Sequence, residues 1–146
     1  MTEDEKYMHE ALHEASLAAS MDEVPVGAVV VHGSRIIARA HNLAETLTDA
    51  TAHAEMQAIT SAANFTGGKY LPGCTLYVTV EPCPMCAGAC FWAQVGRVVY
   101  GASDPKHGYS LIPQNLLHPK TKVTRGVLAA ECGKLMSDFF RKKRTS

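Results

Sequence analysis

Two short segments carry side chains suited to chemistry. His53-Ala54-Glu55 sets an imidazole two residues ahead of a carboxylate, and Pro82-Cys83-Pro84-Met85-Cys86 sets two thiols three residues apart. One imidazole nitrogen and two thiolates are ligand types that zinc prefers, and three protein ligands leave a fourth tetrahedral position for water. A structural finger would use four. No second C-x-x-C and no H-x₃₋₅-H lies near these residues to supply the fourth. Zinc lowers the pKa of a bound water from about 16 to roughly 7. Glu55, two residues from the histidine and not itself a ligand, is placed to move the protons. The expected chemistry is therefore hydrolysis, with one Zn²⁺ per chain on His53, Cys83 and Cys86. Each segment alone has a plainer reading. Cys-Pro-x-Cys at a helix start also suits a redox pair, and an isolated H-x-E is commonly a buried, satisfied histidine. Order, spacing and helix placement together favour the metal.

These residues need elements to hold them. Tyr7, Met8, Ala11, Leu12, Ala15 and Ala18/Ala19 recur at helical spacing, which predicts an amphipathic helix. Val26–Val31 and Arg35–Ala40 read as a hairpin turning at His32-Gly33-Ser34. Thr51–Asn64 lacks Pro and Gly and reads as the helix bearing His53 and Glu55. Thr75–Val80 predicts a strand, Pro82–Gln94 a buried helix with proline in its first turn, and Arg97–Tyr100 a further strand. A helix start would place free N–H groups and positive dipole beside both sulfurs, favouring thiolate. After a long connection, Val123–Leu128 predicts a last strand and Ala129–Arg144 a final helix. The pattern is α/β, with about five strands and helices on both faces. The crossovers after residue 75 are too long for hairpins and call for parallel pairing.

The 146-residue length predicts one domain, 1–146. An apolar fraction of 47% and a charged fraction of 19% exclude a disordered or collagen-like chain. No apolar run approaches a bilayer span, and the acidic start shows no secretory signal. Five cysteines, an odd number, favour a reducing compartment, so a cytoplasmic location is expected. The formal net charge of zero conceals a split. Residues 1–60 carry three cations against ten acids, a net of −7, and the remainder carries eleven against four, a net of +7. The run Arg141-Lys142-Lys143-Arg144 reads either as a surface for a polyanion or as cations favouring a helix C-terminus.

H-x-E followed by P-C-x-x-C is the signature of zinc nucleobase deaminases. Further stretches add to it: Asp22–Ala28, Ala40-His41-Asn42, Thr51–Glu55, Thr75–Cys83, Met85–Ala89, Gly101-Ala102 with Asp104 and Lys106, and Leu135–Arg141. Together they resemble the bacterial tRNA-specific adenosine deaminases of the cytidine/deoxycytidylate deaminase superfamily over nearly the whole chain. The zinc motif is common to the superfamily, whereas Val24–Ala28, Asn42 and the Asp-Phe-Phe-Arg ending are more particular to the tRNA enzymes. The resemblance implies a three-layer α/β/α cytidine-deaminase-like fold with a mixed sheet, and conversion of wobble adenosine to inosine in a tRNA anticodon stem-loop. It further implies a homodimer.

By the same resemblance Asn42 would hold the purine, while Asp104, Lys106 and the Phe139–Arg144 tail, with Phe140 and Arg141, would lie near the anticodon loop. Plainer roles exist for each: a turn for Asn42 and Asp104, a solvated Lys106, a packed Phe139 or Phe140. His107–Pro113 replaces a Gly- and Ala-rich stretch common in the family. Two other functions fit the metal motif. One is deamination of a free base or nucleotide such as guanine, cytosine or deoxycytidylate, which has no need of a basic tail. The other is a non-catalytic zinc module, which has no need of Glu55.

Overall fold

The computed structural model describes residues 1–145; Ser146, the last residue of the expected domain, lies outside them. In chain order the elements are α1 (Glu3–Ser20), β1 (Gly27–His32), β2 (Arg35–His41), α2 (Ala54–Thr66), β3 (Cys74–Val80) and α3 (Pro84–Ala93). They continue with β4 (Arg97–Ala102), a 3₁₀ turn (Tyr109–Leu111), β5 (Lys122–Arg125) and α4 (Ala129–Thr145). No helix among the described residues is long and apolar enough to cross a membrane.

The five strands form one mixed sheet in the order β2-β1-β3-β4-β5. β1 runs antiparallel to both β2 and β3, while β3, β4 and β5 are parallel, as the long crossovers require. Strand side chains alternate between the two faces, and the packing follows that alternation. Val29, Val31, Tyr77 and Val99 meet Tyr7, Met8, Ala11 of α1 and Cys132 of α4. Ala28, Val30, Leu76, Val78, Val98 and Tyr100 meet Ala54, Ala58, Ala62 of α2 and Ala87, Cys90 of α3. Helices thus cover both faces, giving three layers.

A capping box starts α1: Thr2 Oγ1 accepts from Glu5 N at 3.1 Å, and Thr2 N donates to Glu5 Oε1 at 2.8 Å. Asp4 then ties α1 to the sheet, accepting from both Arg97 guanidinium nitrogens at 2.8 and 2.6 Å and from Tyr77 Oη at 2.7 Å.

Most boundaries shift by a residue or two from the sequence expectation, and three of the shifts have a local cause. α2 begins at Ala54, not Thr51, because His53 is its extended N-cap at φ −72°, ψ 156°. α3 begins at Pro84, not Pro82, because Cys83 is its extended N-cap at φ −73°, ψ 169°. β5 ends at Arg125 instead of Leu128, since Gly126 and Leu128 take φ of 83° and 53° and turn the chain into α4.

Candidate active site

The ends of α2 and α3 build the centre. His53 caps α2, and Glu55 sits in the first turn beyond it. Cys83 caps α3, and Cys86 sits in its first turn, so both sulfurs lie where unpaired N–H groups and positive dipole gather. His53 Nδ1 is 3.7 Å from Cys83 Sγ and 3.5 Å from Cys86 Sγ. Tetrahedral zinc, with Zn–N of about 2.05 Å and Zn–S of about 2.3 Å, sets that separation at about 3.6 Å. Among the described residues these three ligand atoms all lie within 4.8 Å of one another. The donor set and its spacing fit zinc.

The electrostatics divide the two sulfurs, favouring the thiolate at Cys83 and the thiol at Cys86. The Cys83 thiol, hydrogen-bonded by Cys86 and opposed by burial, is pushed down to about 4, with His53 helping. Cys86 is pushed up by the same contact and by burial. The contact with Cys83 raises His53 against desolvation. Glu55 is buried, and burial pushes its carboxyl up to about 7, with the Cys83 charge acting in the same direction. A carboxyl so placed can both take and give a proton near neutral pH.

A cleft of about 1120 Å³ opens over this centre. His53, Glu55, Cys83, Asn42, Asp104, Lys106, Phe140 and Arg141 all line it, and Cys86 stands behind, fully buried. Asn42 follows β2; its Oδ1 accepts from Ala44 N at 3.2 Å and its Nδ2 donates to Val24 O at 3.5 Å, so the turn role and the cleft position coexist. Asp104 likewise makes a turn, its Oδ1 accepting from Lys106 N and His107 N at 3.0 Å each. Lys106 is exposed on the rim. The rings of Phe139 and Phe140 meet edge to face at 5.3 Å, and Phe140 stays 41% exposed. Arg141 pairs with Asp138 at 3.1 Å, and Lys143 reaches Asp22 at 2.5 Å, so part of the basic run ties down its own helix end.

The remaining cysteines and His41 have structural places. Cys90 is fully buried in the core, its thiol pushed up to about 12 by burial, and Cys74 and Cys132 are buried too. His41 Nδ1 meets Glu14 Oε1 at 2.9 Å.

Besides Glu14, two buried carboxylates had no role assigned from the sequence. Glu23 accepts from Glu45 N at 3.1 Å and from Thr46 N and Oγ1 at 2.6 Å each, holding the segment between β2 and α2. Burial opposes its charge, yet those donors hold it below the usual carboxylate range. Glu81, at the end of β3, accepts from Asp104 N and from Ser110 N and Oγ. Both acids stand in stretches that carry the family resemblance, Asp22–Ala28 and Thr75–Cys83, and each is set against an apolar run, Val24-Pro25-Val26 and Thr75–Val80.

The MafB19-like deaminase family model matches residues 2–144. The tRNA-specific adenosine deaminase of Bacillus subtilis (strain 168) is 52% identical, over 99% of this chain and 92% of its own. A structure from a study of A-to-I editing by tRNA:A34 deaminases at the wobble position of transfer RNA aligns with a TM-score of 0.83. It is 42% identical, covering 89% of this chain and 98% of that one. A guanine deaminase from Bacillus subtilis aligns at 40% identity and a TM-score of 0.65, over 68% of this chain and 64% of that one. A family model spanning nearly the whole chain, with a relative at 52% identity over 99% of it, places this protein among the tRNA-specific adenosine deaminases of the MafB19-like deaminase family.

Proposed function

We propose that this chain hydrolyses the 6-amino group of adenosine at the wobble position of a tRNA anticodon, giving inosine and ammonia. The observation that carries the reading is Glu55: a buried carboxyl beside a His/Cys/Cys cluster on the floor of a cleft. His53 Nδ1, Cys83 Sγ and Cys86 Sγ would hold one zinc ion, which when bound supplies Lewis-acid activation of water. Glu55 takes a proton from the attacking water and passes it to ring N1 as oxygen adds to C6. It then passes the second proton to the exocyclic nitrogen, which leaves as ammonia while C6=O forms. Asn42 has a second lone pair and a second N–H free to meet a purine edge. The flipped base enters the cleft, and Asp104, Lys106, Phe140 and Arg141 meet the flanking nucleotides.

Arg141 and Arg144 on the cleft rim support an RNA substrate over a free base, and so do the tRNA-acting relatives. The guanine deaminase likeness favours a second reading, deamination of a free base or nucleotide. The assay that decides offers purified chain an anticodon stem-loop with wobble adenosine beside free guanine, cytosine, deoxycytidylate and adenosine, and measures inosine and ammonia. Inosine from the stem-loop supports the first reading, and turnover confined to the small molecules overturns it. The non-catalytic reading has no use for a buried Glu55.

A homodimer belongs to the same proposal. It is supported by α3, which leaves Trp92 77% and Phe91 38% exposed, large apolar surface of the kind interfaces cover. A cytoplasmic location is supported by five free thiols and by a tRNA substrate.

A further inference from the structure

Glu81 is buried at the end of β3, two residues before Cys83, yet its carboxylate turns toward the segment after β4. Oε1 accepts from Asp104 N at 3.0 Å, and Oε2 accepts from Ser110 N at 3.1 Å and Ser110 Oγ at 2.6 Å. Its main chain joins in: Glu81 N donates to Ala102 O at 2.8 Å, and Tyr109 N donates to Pro82 O at 2.9 Å. Gly108 closes over the carboxylate so tightly that a Cβ there would lie 2.4 Å from Glu81 Cδ. Inside this wrap Asp104 folds Lys106 and His107 into a second turn, and both line the cleft. A buried carboxylate with three donors is costly to leave half-satisfied, so the segment is bound to one arrangement around it.

We propose that Glu81 is a positioning residue: its carboxylate sets the 103–110 segment in register with Cys83, and so fixes how Lys106 and His107 meet the substrate. The stretch Glu81-Pro82-Cys83 then does two jobs, carrying a metal-ligating sulfur at one end and the substrate-facing segment at the other. The inference deepens the proposed RNA-deaminating function and rests on it. Glu81 borders the cleft, but all three of its side-chain hydrogen bonds go to the segment, which gives it a positioning role.

The test uses the zinc-loaded full chain and a wobble-adenosine stem-loop, with steady-state kinetics and amide hydrogen exchange. Glu81→Gln presents N–H groups to N–H donors. It should raise KM about tenfold, hold kcat within about twofold and leave zinc content unchanged. Exchange at the Asp104 and Ser110 amides should quicken. Ser110→Ala removes one donor and should raise KM about threefold; combined with Glu81→Gln it should add nothing further, since both break the same bond. Gly108→Ala should reproduce the Glu81→Gln phenotype from the segment side. Unchanged KM with unaltered exchange, or a fall in kcat with KM constant, would overturn the proposal. If Glu81→Gln does not fold, Ser110→Ala and Gly108→Ala decide by the same criteria. A wild-type chain that makes no inosine from the stem-loop defeats the function reading instead, and the exchange data then judge the register on their own.

Discussion

His53 Nδ1 lies 3.5 Å from Cys86 Sγ across 33 residues of chain, a separation that matches two ligands of one tetrahedral zinc. The contact exists because two helices on the same face of the sheet begin side by side, one capped by His53 and the other by Cys83.

The first prediction concerns that centre. Elemental analysis of the purified chain should find about one zinc per chain. Cys83→Ala should lose it and unfold at lower temperature, since binding to the folded state alone stabilises that state. A fully folded, active protein without zinc contradicts the assignment.

The basic end of α4 gives a second prediction. Lys143 is engaged with Asp22 and Arg141 with Asp138, and both line the cleft together with Arg144. Arg141→Gln with Arg144→Gln should weaken stem-loop binding and flatten the slope of log Kd against log salt by about one to two. An unchanged slope would return these residues to a solvated helix end.

A third prediction tests how α1 is held. Arg97, foremost, and Tyr77 hold Asp4 below its ordinary value of 3.8, against burial. Because the folded value is the lower one, the contribution is complete above 3.8 and fades as pH falls toward the folded value. Asp4→Asn should therefore cost about 1–2 kcal/mol near neutral pH. The gap from wild type in thermal unfolding should close in acid. A gap that persists unchanged below the folded value would show that the carboxylate's charge is not what Arg97 uses.

Local patterns carried much of this molecule. The grouping of His53, Cys83 and Cys86 was legible because a candidate metal site demands particular side chains at short spacing, and periodicity, composition and β propensity marked the helices and strands. Periodicity does not mark which residue caps a helix, so the Thr51 and Pro82 starts gave way to Ala54 and Pro84. The holding roles of Glu23 and Glu81 were not legible, for a different reason. Their partners are mainly backbone N–H groups 22 to 29 residues away, in segments with no periodic pattern of their own. Only the folded chain shows that two cleft-lining segments are wrapped around buried acids.

The central claim is that the buried Glu55 carboxyl carries the protons of an adenosine deamination. Its most direct measurement is a single-turnover assay of Glu55→Gln on the wobble-adenosine stem-loop, with zinc content and Kd determined on the same sample. Zinc and Kd should match wild type while inosine formation falls by about 10³-fold or more. Inosine formation near the wild-type rate, with zinc in place, would remove Glu55 from the chemistry and contradict the account.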